Sequence, residues 1–215
     1  MRLLFVGAPG VGKGTQAKRL ADGRSIPHIS TGDILREAIR RSTPVGLKVG
    51  LFVDSGGLVP DEVMVSIIEE RFAQEDTQKG YLLDGFPRTM PQAVALDGLL
   101  LRLRLPLERV ILLEYPDGAI MERITGRRTC EKCGTPFHLE HRKPRAEGLC
   151  DGCGGKLVQR EDDTEPKVWL RLAKYHAETV AIIPFYEKQG MVRRVDASRK
   201  PDEVTRAVED AVAGL

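Results

Sequence analysis

Gly7-Ala8-Pro9-Gly10-Val11-Gly12-Lys13-Gly14-Thr15 is the stretch on which the fold turns. It follows an apolar run, Leu3-Leu4-Phe5-Val6, of the kind that forms a buried parallel strand. It precedes Gln16-Ala17-Lys18-Arg19-Leu20, which reads as the first turns of a helix. Strand, glycine loop and helix in that order are the setting of a phosphate-binding loop. The glycines let backbone N–H groups converge on an anion, the helix N-terminus adds its dipole, and Lys13 adds a full charge. Gly10, Val11, Gly12, Lys13, Gly14 and Thr15 are therefore the first candidate site residues. One departure is informative: Gly14 stands where the usual pattern has a Mg²⁺-ligating hydroxyl, which comes one residue later, at Thr15.

With 215 residues the chain can bury one sizeable core and carry small insertions. A net charge of +2 gives no global basic field, so neither a nucleic-acid nor a membrane-surface partner is expected. No apolar run approaches the roughly 20 residues of a membrane span. The chain starts directly on a strand, so no leader is expected and a cytoplasmic location is the default.

Outward from the loop, strand-like and helix-like segments alternate. Ser30-Thr31-Gly32-Asp33 is a cluster of helix-capping residues ahead of Ile34 to Arg40. Residues 30–59 are short, helical and bounded by turns, with little core of their own expected. Asp61 is expected to cap a helix bearing Val63, Ile67 and Ile68 on one face. Tyr81-Leu82-Leu83-Asp84 reads as a buried strand ending in an acid, and Val110 to Glu114 as another. A long helix from Glu165 through His176 is expected to break near Pro184, ahead of a last strand at 190–195 and a last helix. The alternation predicts a doubly wound parallel α/β sheet.

Three groups of residues carry chemistry. Asp84-Gly85-Phe86-Pro87-Arg88 follows the C-terminal end of a strand, where open α/β sheets bind ligands. An Asp there can hold Mg²⁺ through water, and Arg88 can grip a phosphate with two parallel hydrogen bonds. Arginines also recur around the two irregular segments: Arg36, Arg123, Arg127, Arg128, Arg160 and Arg171, with Arg128 read as a surface residue. Phosphoryl transfer needs positive charge and positioning more than covalent help, and arginines on moving flaps supply charge on closure. Finally, Cys130-x₂-Cys133-x₁₆-Cys150-x₂-Cys153 is a four-thiolate pattern for closed, structural zinc. Two disulfides or a redox pair are the competing readings. His138 and His141, between the knuckles, are left as surface residues.

With these motifs in place the chain closely resembles the adenylate kinase family, in the long bacterial form with a zinc-bearing lid, over essentially its whole length. The resemblance implies a five-stranded sheet of the P-loop NTPase type. A CORE domain would span 1–29, 60–126 and 165–215, with a monophosphate-binding flap at 30–59 and a lid at 127–164. It implies the reaction ATP + AMP ⇌ 2 ADP with Mg²⁺. Arg123, Arg127, Pro136, Phe137 and Arg199 would join the glycine loop in holding ATP. Thr31, Arg36, Gly57, Leu58, Val59, Gly85, Phe86, Pro87, Arg88 and Gln92 would hold AMP, with Gln92 reading the adenine edge. Arg160 and Arg171 would surround the transferred group with Lys13, Arg88 and Arg127, and Asp162 and Asp163 would form a pair at the lid hinge. Asp33 and Asp84 would organise Mg²⁺. Cys130, Cys133, Cys150 and Cys153 would bind zinc.

The rivals are a kinase of UMP, CMP or GMP, a nucleotide-hydrolysing switch and a zinc-ribbon nucleic-acid binder. The second is disfavoured by Gly14 and by the lack of a GTPase-type base-reading motif, the third by the near-zero net charge and the lack of stacking aromatics. A monomer is expected, from the small apolar content of the flaps.

Overall fold

The computed structural model describes residues 1–54 and 58–215. The chain runs β1 (Arg2–Gly7), α1 (Lys13–Arg24), β2 (His28–Ser30), α2 (Thr31–Arg40), α3 (Pro44–Asp54), α4 (Asp61–Phe72), β3 (Tyr81–Asp84), α5 (Met90–Arg102), β4 (Arg109–Glu114) and α6 (Asp117–Thr125). Then come β5 (Arg127–Cys130), β6 (Pro136–His138), β7 (Leu157–Val158), α7 (Glu165–Lys174), α8 (Ile182–Glu187), β8 (Val192–Asp196) and α9 (Pro201–Ala211). Five strands form one sheet in the order β2-β3-β1-β4-β8. All its pairings are parallel.

Strand residues point alternately to the two faces, and both faces are covered. Leu4, Val6, Leu83 and Leu112 pack against Ile68 and Phe72 of α4 and Leu96 and Leu100 of α5. Leu3, Phe5, Leu82 and Ile111 pack on the other side against Ala17 and Leu20 of α1 and Val204 and Val208 of α9. The apolar runs in β1, β3 and β4 are thus strands buried on both faces. β1 is central: β3 and β2 lie on one side of it, β4 and β8 on the other, so the order reverses there. Ligand crevices form outside the C-terminal ends of strands at such a reversal. The glycine loop leaves the end of β1, and Asp84 ends β3.

The 30–59 insertion shares more of the core than its sequence suggests. Leu35, Val49 and Val59 belong to the same buried cluster as Met64 and Ile67. α2 and α3 approach so closely at Gly46 that a Cβ there would lie 2.1 Å from the Ala38 carbonyl oxygen. The second insertion is different. β5, β6 and β7 make a three-stranded antiparallel sheet, and its buried cluster is only Cys130, Phe137 and Cys150.

Some boundaries differ from expectation. Asp61 is the first residue of α4 and Pro60 is the cap; the buried face is Met64, Ile67, Ile68 and Phe72. The helix after Glu165 is interrupted by a π turn at Tyr175–Thr179, before Pro184. Pro184 lies instead in the first turn of α8, where its missing N–H leaves no bond unmade. Among the described residues no helix is long and apolar enough to cross a membrane.

Candidate active site

The glycine loop is shaped for an anion by its backbone. Gly10 and Gly12 have φ of 76° and 103°, a region that strains any residue with a Cβ. α1 begins at Lys13 with no side-chain cap, so its first N–H groups stay available to a ligand. Lys13 folds back over the loop, donating from Nζ to the carbonyls of Gly7 (2.7 Å) and Ala8 (2.9 Å). Gly14 faces Asp84: a Cβ there would sit 3.6 Å from Asp84 Oδ2, in ordinary van der Waals contact.

Asp84 is buried. Its carboxylate lies 3.4 Å from His28 Nε2 and its carbonyl accepts from Thr31 Oγ1. After it, Gly85 takes φ 86°, and a Cβ there would meet Thr31 Oγ1 at 2.7 Å. Arg88 is held from three directions. Its Nε donates to Gly85 O at 2.7 Å, its N–H donates to Gln92 Oε1 at 2.7 Å, and its carbonyl accepts from Thr179 Oγ1 at 2.9 Å.

Two cavities meet at these residues. The larger, about 1080 Å³, is lined by the glycine loop, Asp33, Asp84, Arg123, Arg127 and Arg160. The lid contributes Pro136 and Phe137 to its wall. The smaller, about 80 Å³, is lined by Thr31, Leu58, Val59, Gly85 and Gln92. Arg36, Arg88 and Arg171 line both, so the dividing wall is cationic.

Counter-charges are distributed unevenly over these cations. Arg127 donates to both oxygens of Asp163, through Nε at 2.8 Å and through a second nitrogen. Arg171 pairs with Asp162 at 3.0 Å and reaches Asp163 at 3.4 Å. Asp163 is fully buried. Burial disfavours the Arg127 guanidinium, but Asp163 outweighs it and holds the pKa above its ordinary value. Burial would raise Asp162, yet Arg171, Arg127, Arg36 and Arg160 keep it below the usual carboxylate range. Arg36 pairs with Asp33.

By contrast, among the described residues no ion pair reaches Lys13, Arg88 or Arg160. Among the described residues, Arg160 donates only to Thr129 Oγ1. Burial is the main reason that Lys13 is depressed to about 8, and Arg88 and Arg160 to about 10. Three enclosed cations with no carboxylate at ion-pair distance among the described residues make a strong field for a multiply charged anion.

The structure places most of the anticipated residues on these two cavities, with exceptions. Phe86 is 1% exposed and its ring belongs to the core beside β3, so its side chain touches neither cavity. Pro87 lies on the wall of the larger one. Arg199 is exposed and tied to Asp196 at 3.3 Å; Ala197 and Pro201 form the wall there instead. Gly57 lies outside the described residues. Arg128 is half-buried, donating to the carbonyls of Thr125 and Arg127.

His138 is buried, not a surface residue. Its Nδ1 accepts from the N–H groups of Glu140 (3.0 Å) and His141 (3.2 Å), and Nε2 faces Glu122 O. The lid folds back onto the end of α6 here, where a Cβ on Gly126 would collide with the ring.

Several residues at the site were not anticipated. His28 faces Asp84. Asp61 accepts from Gln92 and Thr89. Tyr115 lies under Arg123, with 4.6 Å from the guanidinium carbon to the ring centroid. Gln16 bridges to Pro201 O and Thr205 Oγ1. Only Gln16, next to the glycine loop, carried a local signal.

In the lid, Cys130 and Cys153 Sγ are 3.5 Å apart, and Cys133 and Cys150 Sγ 3.6 Å. These separations exceed a disulfide bond. All four sulfurs lie within 4.8 Å of one another, where the edge of a tetrahedron of sulfurs around zinc is about 3.8 Å. Each knuckle closes in the same way: Gly134 N–H donates to Cys130 O and Gly154 N–H to Cys150 O, both at 2.9 Å. The four cysteines can hold a metal ion with no open position.

Residues 5–191 match the family model described as adenylate kinase. The chain is 51% identical over 192 residues to the adenylate kinase of Caldicellulosiruptor bescii, covering 89% of each chain. To that of Carboxydothermus hydrogenoformans it is 45% identical over 212 residues, 99% of each. To that of Methanocella arvoryzae it is 44% identical over the full length of both.

Proposed function

The chain belongs to the adenylate kinase family, and from that premise we propose which of its residues perform the reaction. The activity is reversible phosphoryl transfer, ATP + AMP ⇌ 2 ADP, with Mg²⁺ accompanying ATP. The observation that carries the assignment of roles is the shared wall: two cavities, one large and one small, divided by Arg36, Arg88 and Arg171. A hydrolase needs one nucleotide site; a phosphoryl exchange between two nucleotides needs two that meet at a cationic boundary.

ATP takes the large cavity. The loop N–H groups and Lys13 hold its phosphates, and Arg123, seated on Tyr115, offers a flat face to the adenine. AMP takes the small cavity, with Arg36 and Arg88 on its phosphate and Gln92 at its base. Arg127, Arg160 and Arg171 surround the group in flight, where charge spread over its oxygens is stabilised by fixed cations. The acceptor oxygen is already anionic, so no protein base is required. Asp84 and Asp33, on the wall of the large cavity, would hold Mg²⁺ through water, and the ion would supply positive charge to the phosphates. Closure of the flap and the lid excludes water that would otherwise take the phosphoryl group.

Zinc bound by Cys130, Cys133, Cys150 and Cys153 would fold the lid, whose own buried cluster is too small to do so. Four thiolates arranged for a metal also favour a reducing, cytoplasmic compartment. The assignment is tested by Lys13→Met and Arg88→Ala, assayed as ADP formed from ATP plus AMP. Each should lower kcat by about 10³-fold or more with the melting temperature preserved. Near-normal turnover in either would sink it.

A further inference from the structure

Gln92 sits in the first turn of α5, 2% exposed, at the wall of the small cavity. The two ends of a carboxamide are almost the same shape, so its neighbours decide which end points where. Here the neighbours leave no choice. Nε2 donates to Asp61 Oδ1 at 2.7 Å, and a carboxylate can only accept. Oε1 accepts from the Arg88 N–H at 2.7 Å, which can only donate. Turning the amide over would set oxygen against oxygen and N–H against N–H.

Asp61 is itself pinned. Its second oxygen accepts from Thr89 Oγ1 at 3.0 Å, and the same hydroxyl accepts from the Gln92 backbone N–H at 3.3 Å. Asp61 also opens α4 directly after Leu58, Val59 and Pro60, where the monophosphate flap rejoins the core. It therefore ties the end of the flap to the base-facing amide.

We propose that Asp61 is a specificity-positioning residue: it fixes the order in which Gln92 presents its remaining donor and acceptor to the base of the monophosphate. After the two contacts above, the amide keeps one free N–H and one free lone pair. Adenine offers an amino donor beside a ring-nitrogen acceptor, a pair that a carboxamide matches at both ends. Guanine puts an acceptor, O6, where adenine has the amino group. With the phosphate held on Arg88 the base cannot turn end for end, so an amide that cannot flip rejects that exchange. An amide free to flip would accommodate it. This inference rests on the reading that the small cavity holds the monophosphate.

The test uses the full chain and measures kcat and KM for AMP and for GMP at saturating ATP. Asp61→Ala should raise the KM for AMP by about tenfold and lower the AMP-over-GMP ratio of kcat/KM by a similar factor. The KM for ATP should stay within about twofold. Asp61→Asn should restore most of the loss, since its Oδ1 still accepts from Gln92 and its Nδ2 can donate to Thr89. If the alanine variant does not fold, Asp61→Ser serves, because its hydroxyl is too short to reach the amide and the same loss is expected.

A lower melting temperature with unchanged KM for AMP and unchanged selectivity would make Asp61 a helix-terminal acid only and overturn the proposal. Gln92→Leu separates the two levels. If it leaves AMP binding and selectivity intact, the placement of the base is wrong and the role of Asp61 falls with it. If Gln92→Leu loses both and Asp61→Ala loses neither, the placement stands and only the proposal fails.

Discussion

Raising the pH should disarm the ATP site before it disarms anything else. Lys13 is held at about 8 against an ordinary 10.5. Burial of the ammonium is the main cause; Asp84 pushes back, while Arg88, Arg171 and Arg127 depress it further. In the free enzyme the ammonium is therefore lost as pH rises through 8, and with it the loop's full positive charge. Because kcat/KM reports groups in the free enzyme, its value for ATP should fall above pH 8 with a slope approaching tenfold per unit. At pH 9 about a tenth of the pH 7 value should remain. Bound phosphates favour the charged form, so kcat at saturating ATP should stay level over the same range. If ATP restores Lys13 to 10.5, the coupling between them is at most about 3 kcal/mol. Stability of the unliganded protein should move the other way. Between pH 8 and 10.5 the unfolded chain keeps a proton that the folded chain has shed, so stability rises across that window. Arg88 and Arg160, held at about 10, enter only later. The assay is a pH series of initial rates with ATP varied, AMP saturating, and Mg²⁺ in excess. A flat kcat/KM for ATP from pH 7 to 9.5, or a parallel fall in kcat, would refute the reasoning.

Other perturbations have equally direct readouts. Asp163→Asn leaves Arg127 and Arg171 buried without their shared carboxylate, and should destabilise the free protein by about 3 kcal/mol, some 10 °C in melting temperature. A non-hydrolysable two-nucleotide ligand should recover much of that, whereas an unchanged melting curve would show that the pair contributes nothing. Elemental analysis should find one zinc per chain, and Cys133→Ser or chelation should lower the melting temperature while the core stays folded. A metal-free chain of equal stability would refute that part. Tyr115→Leu removes the ring under Arg123 and should raise the KM for ATP about threefold with the KM for AMP unchanged, and Tyr115→Phe should be neutral.

What the sequence makes legible at this site is local. Gly10, Gly12 and Lys13 announce themselves because backbone conformation and charge are encoded within a few residues. Asp84 is legible because a buried apolar run ends on it. The cysteines are legible because a metal imposes spacing. What escaped is long-range. Asp61 looks like an ordinary helix-starting acid until Thr89 and Gln92 arrive beside it from 28 and 31 residues away. His138 looks like surface until β6 folds back onto Glu122 and Gly126, a contact no periodicity records. Phe86 follows an all-buried strand, so its ring is drawn into the core and only its backbone stays beside Arg88. Arg199 comes from the resemblance alone, and its side chain is held by Asp196, three residues before it.

The bridge between α1 and α9 has a consequence for how the protein is made. Gln16, the residue after the glycine loop, is fastened to Pro201 and Thr205, and Ala197, Pro201 and Val204 close the far wall of the ATP cavity. Opposite walls of one pocket are thus separated by most of the chain. On a ribosome adding about 5–20 residues per second, the loop waits roughly ten to forty seconds for its other wall. During that wait Leu3, Phe5 and Leu20 have no Val204 or Val208 to cover them. Nucleotide therefore meets a complete ATP pocket only when the chain is nearly finished.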